Sequence, residues 1–170
     1  MTETTRPTAP VQLALYEPEI PPNTGNVARL CAATATHLHL IEPLGFRIDD
    51  KHLKRAGLDY WPQVSLTVWP NWQAFLQHVA SLPGTRIVPT SSRQGVPHHR
   101  FDFRAGDVLL LGPETRGLPA DIVEAWPERA RIPIFSHVRS INLSTAAGIL
   151  LYEALRQIGT LDTAPDPGEG

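Results

Sequence analysis

Residues 131–157, RIPIFSHVRSINLSTAAGILLYEALRQ, contain the pattern that decides the fold. A short strand-like run at 131–134 passes through a polar loop at 136–144 into a helix with almost no polar face. That helix, expected over 145–157, carries Ala146, Ala147, Ile149, Leu150, Leu151, Tyr152, Ala154 and Leu155. Such a helix must be covered on most sides. Its start lies among Ser and Asn, so free backbone N–H groups sit beside small polar side chains. This arrangement suits a small polar ligand held at a helix start, next to a packed core or a partner subunit.

Working outward, apolar runs alternate with helical patterns. Strands are expected at 11–16, 37–41, 64–69, 86–89, 107–111 and 131–134. The run 107–111, Asp-Val-Leu-Leu-Leu, reads as a strand covered on both faces. Helices are expected from Asn23 or Thr24 to Ala35, from an Asn71 cap to Ala80, and from Pro119 or Ala120 to Trp126. A shorter one begins at Asp49 or Asp50 and reaches Arg55. Residues 17–22 hold three prolines and are expected to be loop. The alternation implies an α/β fold with a mostly parallel sheet flanked by helices.

The 170 residues suit a single domain over 11–158, between a disordered tail at 1–10 and a disordered acidic tail at 159–170. No apolar run approaches the ~20 residues of a membrane span, and the N-terminus has no apolar signal core. Cys31 is the only cysteine, so no internal disulfide can form. A cytoplasmic protein is expected. Net charge is −2, which argues against wholesale binding of a polyanion. Three of the carboxylates, however, belong to Asp162, Asp166 and Glu169 in the tail, and without them the balance turns slightly positive. Basic residues cluster at Arg47, Lys51, Lys54 and Arg55, at Arg93, Arg100 and Arg104, and at Arg129, Arg131 and Arg139. A solvated surface explains any one cluster, whereas three on one domain can form a local phosphate-binding face.

Three segments repeat one design, a strand end followed by a polar or Gly-rich loop: 89–91, 112–117 and 132–144. In open α/β sheets ligands bind at the carboxyl ends of strands, so three such loops side by side form one pocket. Neither the Gly-x-Gly-x-x-Gly nor the Gly-x-x-x-x-Gly-Lys phosphate fingerprint is present. His98-His99 lacks further ligands at metal spacing, and no metal is expected. No Gly-x-Ser-x-Gly elbow supports Ser136-His137 as a hydrolase pair. The segment 23–29, Asn-Thr-Gly-Asn-Val-Ala-Arg, brackets a glycine with Asn23 and Asn26 at a helix start and places Arg29 one turn on. An arginine there opposes the helix dipole, and a phosphate or carboxylate partner would compensate.

Together the segments 23–29, 111–119 (Leu-Gly-Pro-Glu-Thr-Arg-Gly-Leu-Pro) and 132–154 resemble the three motifs of SPOUT RNA 2′-O-methyltransferases. They are most similar to the small single-domain TrmL (YibK) group, which methylates the wobble nucleotide of tRNA. The stretches 16–26 and 55–60 are also similar to that group.

The resemblance implies a SPOUT-type fold with a C-terminal trefoil knot, a homodimer, tRNA as partner and S-adenosyl-L-methionine as cofactor. The loop 135–143 would be the knotted crossing around the cofactor. Cofactor contacts would come from Pro89 and Thr90, from Gly112 and Glu114, and from Ile132, Ser140 and Leu143. Arg29, Asn142 and Ser144 would be catalytic, while Asn23, Asn26, Arg139 and Tyr152 would bind substrate. Arg29 would hold phosphate and ribose and relay the proton, because an arginine is a poor base. Tyr60, Trp61 and Tyr152 are candidates to stack on or bond RNA, with core packing the equal or better reading for Trp61. The chain departs from the family pattern at His137-Val138, Thr145 and Arg93. The implied activity is methyl transfer to the 2′-oxygen of the wobble cytidine or uridine. Alternatives are another tRNA position, rRNA, or a non-catalytic RNA- or cofactor-binding module.

Overall fold

Residues 107–111, the most apolar strand of the sequence, form the centre of a seven-stranded sheet, with all five residues buried. The computed structural model describes residues 10–49, 51, 55 and 63–168. The chain runs β1 (Gln12–Tyr16), α1 (Pro21–Thr34), β2 (Leu38–Ile41), β3 (Leu66–Trp69), α2 (Trp72–Ala80), β4 (Arg86–Ser91), β5 (Val96–Pro97) and β6 (Asp107–Leu111). It continues through α3 (Ala120–Ala125), β7 (Ala130–Arg131), α4 (Leu143–Ile158) and a 3₁₀ turn at Thr160–Thr163. The strand order is β3-β2-β1-β6-β4-β7-β5, and every pairing among the described residues is parallel.

Period-two alternation divides the core into two layers. Leu13, Leu15, Leu38, Leu40, Leu109 and Leu111 pack with Val27, Ala28 and Cys31 of α1 and with Ala147, Leu150 and Leu151 of α4. Ala14, Ile41, Ile87, Val108 and Leu110 pack with Phe75 and Val79 of α2 and Ile122 of α3. Helices on both faces explain why the central strands are continuous apolar runs. Cys31 is a core residue, and burial pushes its thiol well above the usual range.

The structure revises several expectations. α1 begins at Pro21, inside the segment expected to be loop. Proline is tolerated there because the first-turn N–H groups have no helical partner anyway. The last strand ends at Arg131, and residues 132–134 leave the sheet. Pro133 has no N–H to give a ladder. Asn71 caps α2 as expected, accepting from the Ala74 N–H at 2.9 Å. The tail expected to begin at Gly159 is ordered into the turn at Thr160–Thr163, which packs on α4. Most of the short helix expected up to Arg55, and residues 56–61 with Tyr60 and Trp61, lie outside the described residues.

Candidate active site

β6 is inserted between β1 and β4, and the connections from neighbouring strands depart to opposite faces, α1 to one and α3 to the other. Such a switch point opens a crevice at the carboxyl ends of the strands. Here the loops after β4, β6 and β7 converge on a cleft of about 800 Å³. Six of the seven expected cofactor residues line it: Thr90, Gly112, Glu114, Ile132, Ser140 and Leu143. Asn23, Arg139 and Asn142 line it as well.

Glu114 does more than face the cleft. Its carboxylate accepts the backbone N–H groups of Glu19 (2.9 Å) and Ile20 (2.6 Å) and the Asn23 side-chain amide at 3.4 Å. Ile20 is the residue preceding α1, and its own side chain cannot cap the helix. Glu114, from the loop after β6, therefore places a carboxylate at the start of α1, where the helix dipole favours it. The Glu19 carboxylate in turn accepts from Thr115, from the N–H at 3.0 Å and the hydroxyl at 2.8 Å. The Thr115 N–H, and next its hydroxyl, hold the Glu19 carboxyl below its usual range. At the end of β1, burial and then a hydrogen bond with Glu17 push the Tyr16 phenol up to about 12.

Asn142 caps α4. Its oxygen accepts the Ser144 N–H (2.9 Å), the Ser144 hydroxyl (2.6 Å) and the Thr145 N–H (3.4 Å). Its amide donates to Asn23 Oδ1 at 3.0 Å. The chain Asn142–Asn23–Glu114 thus joins the starts of α4 and α1 to the loop after β6. The free N–H groups expected at the start of α4 are in part satisfied by Asn142 itself.

Gly112 is required by its own loop. A Cβ there would stand 2.3 Å from the Leu118 nitrogen and 2.5 Å from the Gly117 carbonyl carbon. Gly117, with φ +67°, turns the chain back so that its N–H donates to the Pro113 carbonyl at 2.9 Å. Thr90 donates its hydroxyl to the Leu110 carbonyl at 2.9 Å, tying the end of β4 to β6.

Five expected site residues do not line the cleft. Pro89 is buried one residue back in β4, where β7 has not yet joined the strand. Ser144 faces Asn142. Asn26 and Arg29 are exposed on α1, and Tyr152 is exposed on α4. Conversely, Glu19 was not expected at the site, whereas Thr115 and Arg116 belong to the expected 112–117 loop and Arg93 and Arg131 to the basic clusters, without having been named as site residues. Glu19 lies in the 16–26 stretch singled out by resemblance, which was the available signal. Four arginines line the cleft among the described residues, against the carboxylates of Glu114 and Glu124. Among the described residues there is no group of three or more metal-ligating side chains and no helix long and apolar enough to cross a membrane.

The chain is similar to known proteins. The chain is 50% identical over 151 residues to a tRNA (cytidine(34)-2'-O)-methyltransferase of Aeromonas hydrophila, covering 88% of this chain and 95% of the relative. The Escherichia coli K12 protein of the same name is 48% identical over 151 residues, covering 88% and 94%. A solved structure described as giving structural insights into the 2-OH methylation of C/U34 on tRNA superposes with TM-score 0.83 at 46% identity, covering 92% of this chain and 100% of that one. The resemblance expected from the three motifs is borne out. Residues 10–152 match the SpoU rRNA Methylase family, and the chain belongs to it.

Proposed function

We propose that this protein transfers the methyl group of S-adenosyl-L-methionine to the ribose 2′-oxygen of the wobble cytidine or uridine of tRNA. The observation that carries this reading is the convergence of the three strand-end loops on one cleft, in a chain about half identical to enzymes named for that reaction.

The residues present suit the donor. Ile132, Leu143, Ala146 and Leu150 give an apolar wall for a ring, while Thr90 and Ser140 give polar edges for a ribose or amino-acid end. When bound, the donor supplies a methyl group already activated on a sulfonium. The chain must then orient the ribose and exclude water. The loops tied together by Glu114, Asn23 and Asn142 hold the cleft in shape. Asn142 and Ser144 act by ordering the start of α4 beside the reacting centre. Arg93 and Arg139 neutralise RNA phosphates at the cleft. Arg29 holds the phosphate and ribose of the target nucleotide and relays its proton, with Asn26 and Tyr152 bearing on the RNA.

Arg29 lies outside the cleft of its own chain, so this reading takes the site as completed in a homodimer. The exposed Ile149 and Tyr152 of α4, packed beside α1, support such an interface. The C-terminal segment is taken as a trefoil knot on the family resemblance, with which the meeting of the 112–117 loop and Ile132, Arg139 and Ser140 at one cleft accords. The protein works in the cytoplasm, with its tRNA, as one domain over 11–158.

Mapping ribose methylation in tRNA from cells with and without the protein tests the activity. Loss at position 34 is expected, and an unchanged position 34 overturns it. Turnover by Arg29→Ala tests the role of Arg29, and near-normal turnover would sink it.

A further inference from the structure

The loop between β7 and α4 contains two kinds of residue. Ile132, Ile134, Arg139 and Ser140 line the cleft. Residues 135–138, expected together with 139–143 to wrap the cofactor, do not line the cleft and are exposed. They form a lip at the cleft mouth. Phe135 stands on that lip with its side chain wholly in water, at 103% relative exposure, and Val138 is 59% exposed. Phe135 makes no ring contact among the described residues, unlike Tyr16, Trp72, Phe75, Phe101 and Phe103. A phenylalanine held this way contributes nothing to the fold by burial. Phe135 and Val138 leave two large apolar side chains exposed on this one segment beside the cleft.

The surroundings identify the partner. Arg139 follows the lip, Arg131 precedes it, and both line the cleft together with Arg93 and Arg116. An open aromatic face among guanidinium groups matches an unpaired nucleobase on a charged backbone, since bases stack on the ring while the arginines take the phosphates. A base also needs no sequence-specific donor to use such a face. We propose that Phe135 stacks on an unpaired base of the anticodon loop, adjacent to the nucleotide whose ribose enters the cleft, and so sets the register of the RNA. This rests on the tRNA methyltransferase reading above and names the residue that positions its substrate.

The test uses the full-length protein, an anticodon stem-loop RNA and two variants, Phe135→Ala and Phe135→Trp. Phe135→Ala is expected to raise KM for the RNA roughly 5- to 50-fold, the cost of losing one stacked base. It should leave kcat at saturating RNA, the Kd for S-adenosylmethionine by calorimetry, and the sedimentation coefficient unchanged. Phe135→Trp should restore KM. An unaltered KM in Phe135→Ala, with an active wild type, overturns the stacking role alone. Weakened donor binding with normal RNA dependence makes the lip a cover for the donor and overturns it too, as does dissociation of a dimer, which makes the lip a subunit contact. A wild type that fails to methylate the RNA overturns the parent reading and this proposal together.

Discussion

Glu114 and Glu19 hold one another's loops: the Glu114 carboxylate takes the Glu19 N–H at 2.9 Å, while the Glu19 carboxylate takes the N–H of Thr115, the neighbour of Glu114, at 3.0 Å. The clasp joins the β1–α1 connection to the loop after β6 and sets one wall of the cleft. Glu114→Ala removes the acceptor for two backbone N–H groups at the start of α1. The Ile20 bond is exposed and the Glu19 bond only part-buried, so water can replace the carboxylate and the cost is about 0.5–1.5 kcal/mol. Glu114→Gln keeps one acceptor oxygen and should fall between the two. Denaturant unfolding checks the stability, and calorimetry should show donor affinity falling in the same order.

Gly112 makes a sharper case, because the obstacle is backbone. Alanine would bring a methyl carbon to 2.3 Å from the Leu118 nitrogen, far inside any real contact. The 112–117 loop must open to admit it, and overpacking of this kind costs typically about 1–3 kcal/mol. The loss of donor binding should exceed the loss of stability, since the loop lines the cleft. Gly117→Ala, which meets no neighbour but forces alanine to φ +67°, should be milder. Equal donor affinity in Gly112→Ala and the wild type would remove the loop from the binding site.

Much of this was legible from the chain, and the reason is physical. The Leu-rich run at 107–111 has no reading other than a strand covered on both faces, and Asn71 announces α2 by its capping chemistry. The loops after β4, β6 and β7 could be grouped because parallel strands put their carboxyl ends together. What could not be read depended on distant partners. Glu114 looked like a ligand contact, and only the fold brings Glu19 and Ile20, about 95 residues away in sequence, against it. Pro21 and Pro22 suggested a loop because three prolines within six residues read as a breaker cluster, yet here two of them enter the first turn. Ile132 and Ile134 looked like strand because apolar residues around a proline are extended in either case. The exposure of Phe135 has no local signal, since an aromatic residue in a sequence is by default assigned to the core.

Arg86 and Asp107 open β4 and β6 in register, at the end of the sheet away from the cleft. Asp107 is 1% exposed and accepts from Arg86 Nε and Nη2, each at 2.8 Å, and from the Arg104 N–H at 2.8 Å. The hydrogen bond with Asp107 holds the Arg86 guanidinium protonated well above its usual range. Asp107→Ala strands that guanidinium, which keeps Glu128 and the Asp102 carbonyl as partners. Breaking a buried pair from one side costs about 3–5 kcal/mol, and the remaining partners favour the lower end. Thermal unfolding should show a large drop in Tm while turnover at low temperature stays near normal. A drop in turnover without a change in Tm would mean that this edge of the sheet communicates with the cleft.

A buried histidine makes the stability depend on pH. His39, 1% exposed, has both ring nitrogens engaged: Trp69 Nε1–H donates to Nδ1 at 3.0 Å, and Nε2 meets Gln12 Oε1 at 2.6 Å. Nδ1 is therefore the acceptor, and Nε2 carries the proton. A second proton on Nδ1 would face the Trp69 N–H. The rings of His37 and His78 lie 4.6 and 5.8 Å away. Burial first, then His37 and His78, push the His39 imidazole down to about 3, and burial likewise lowers His37. The folded state resists a proton that the unfolded chain takes up near pH 6.5. The contribution is thus complete above about pH 6.5 and is lost progressively as pH falls toward 3. Between pH 7 and 5 the loss from His39 alone is about 2 kcal/mol. His39→Gln keeps a donor and an acceptor without a titrating ring, and it should flatten that slope even if it lowers stability at pH 7. Urea unfolding of both proteins at pH 7, 6 and 5 measures it. Parallel slopes would show that the acid sensitivity arises elsewhere in the chain.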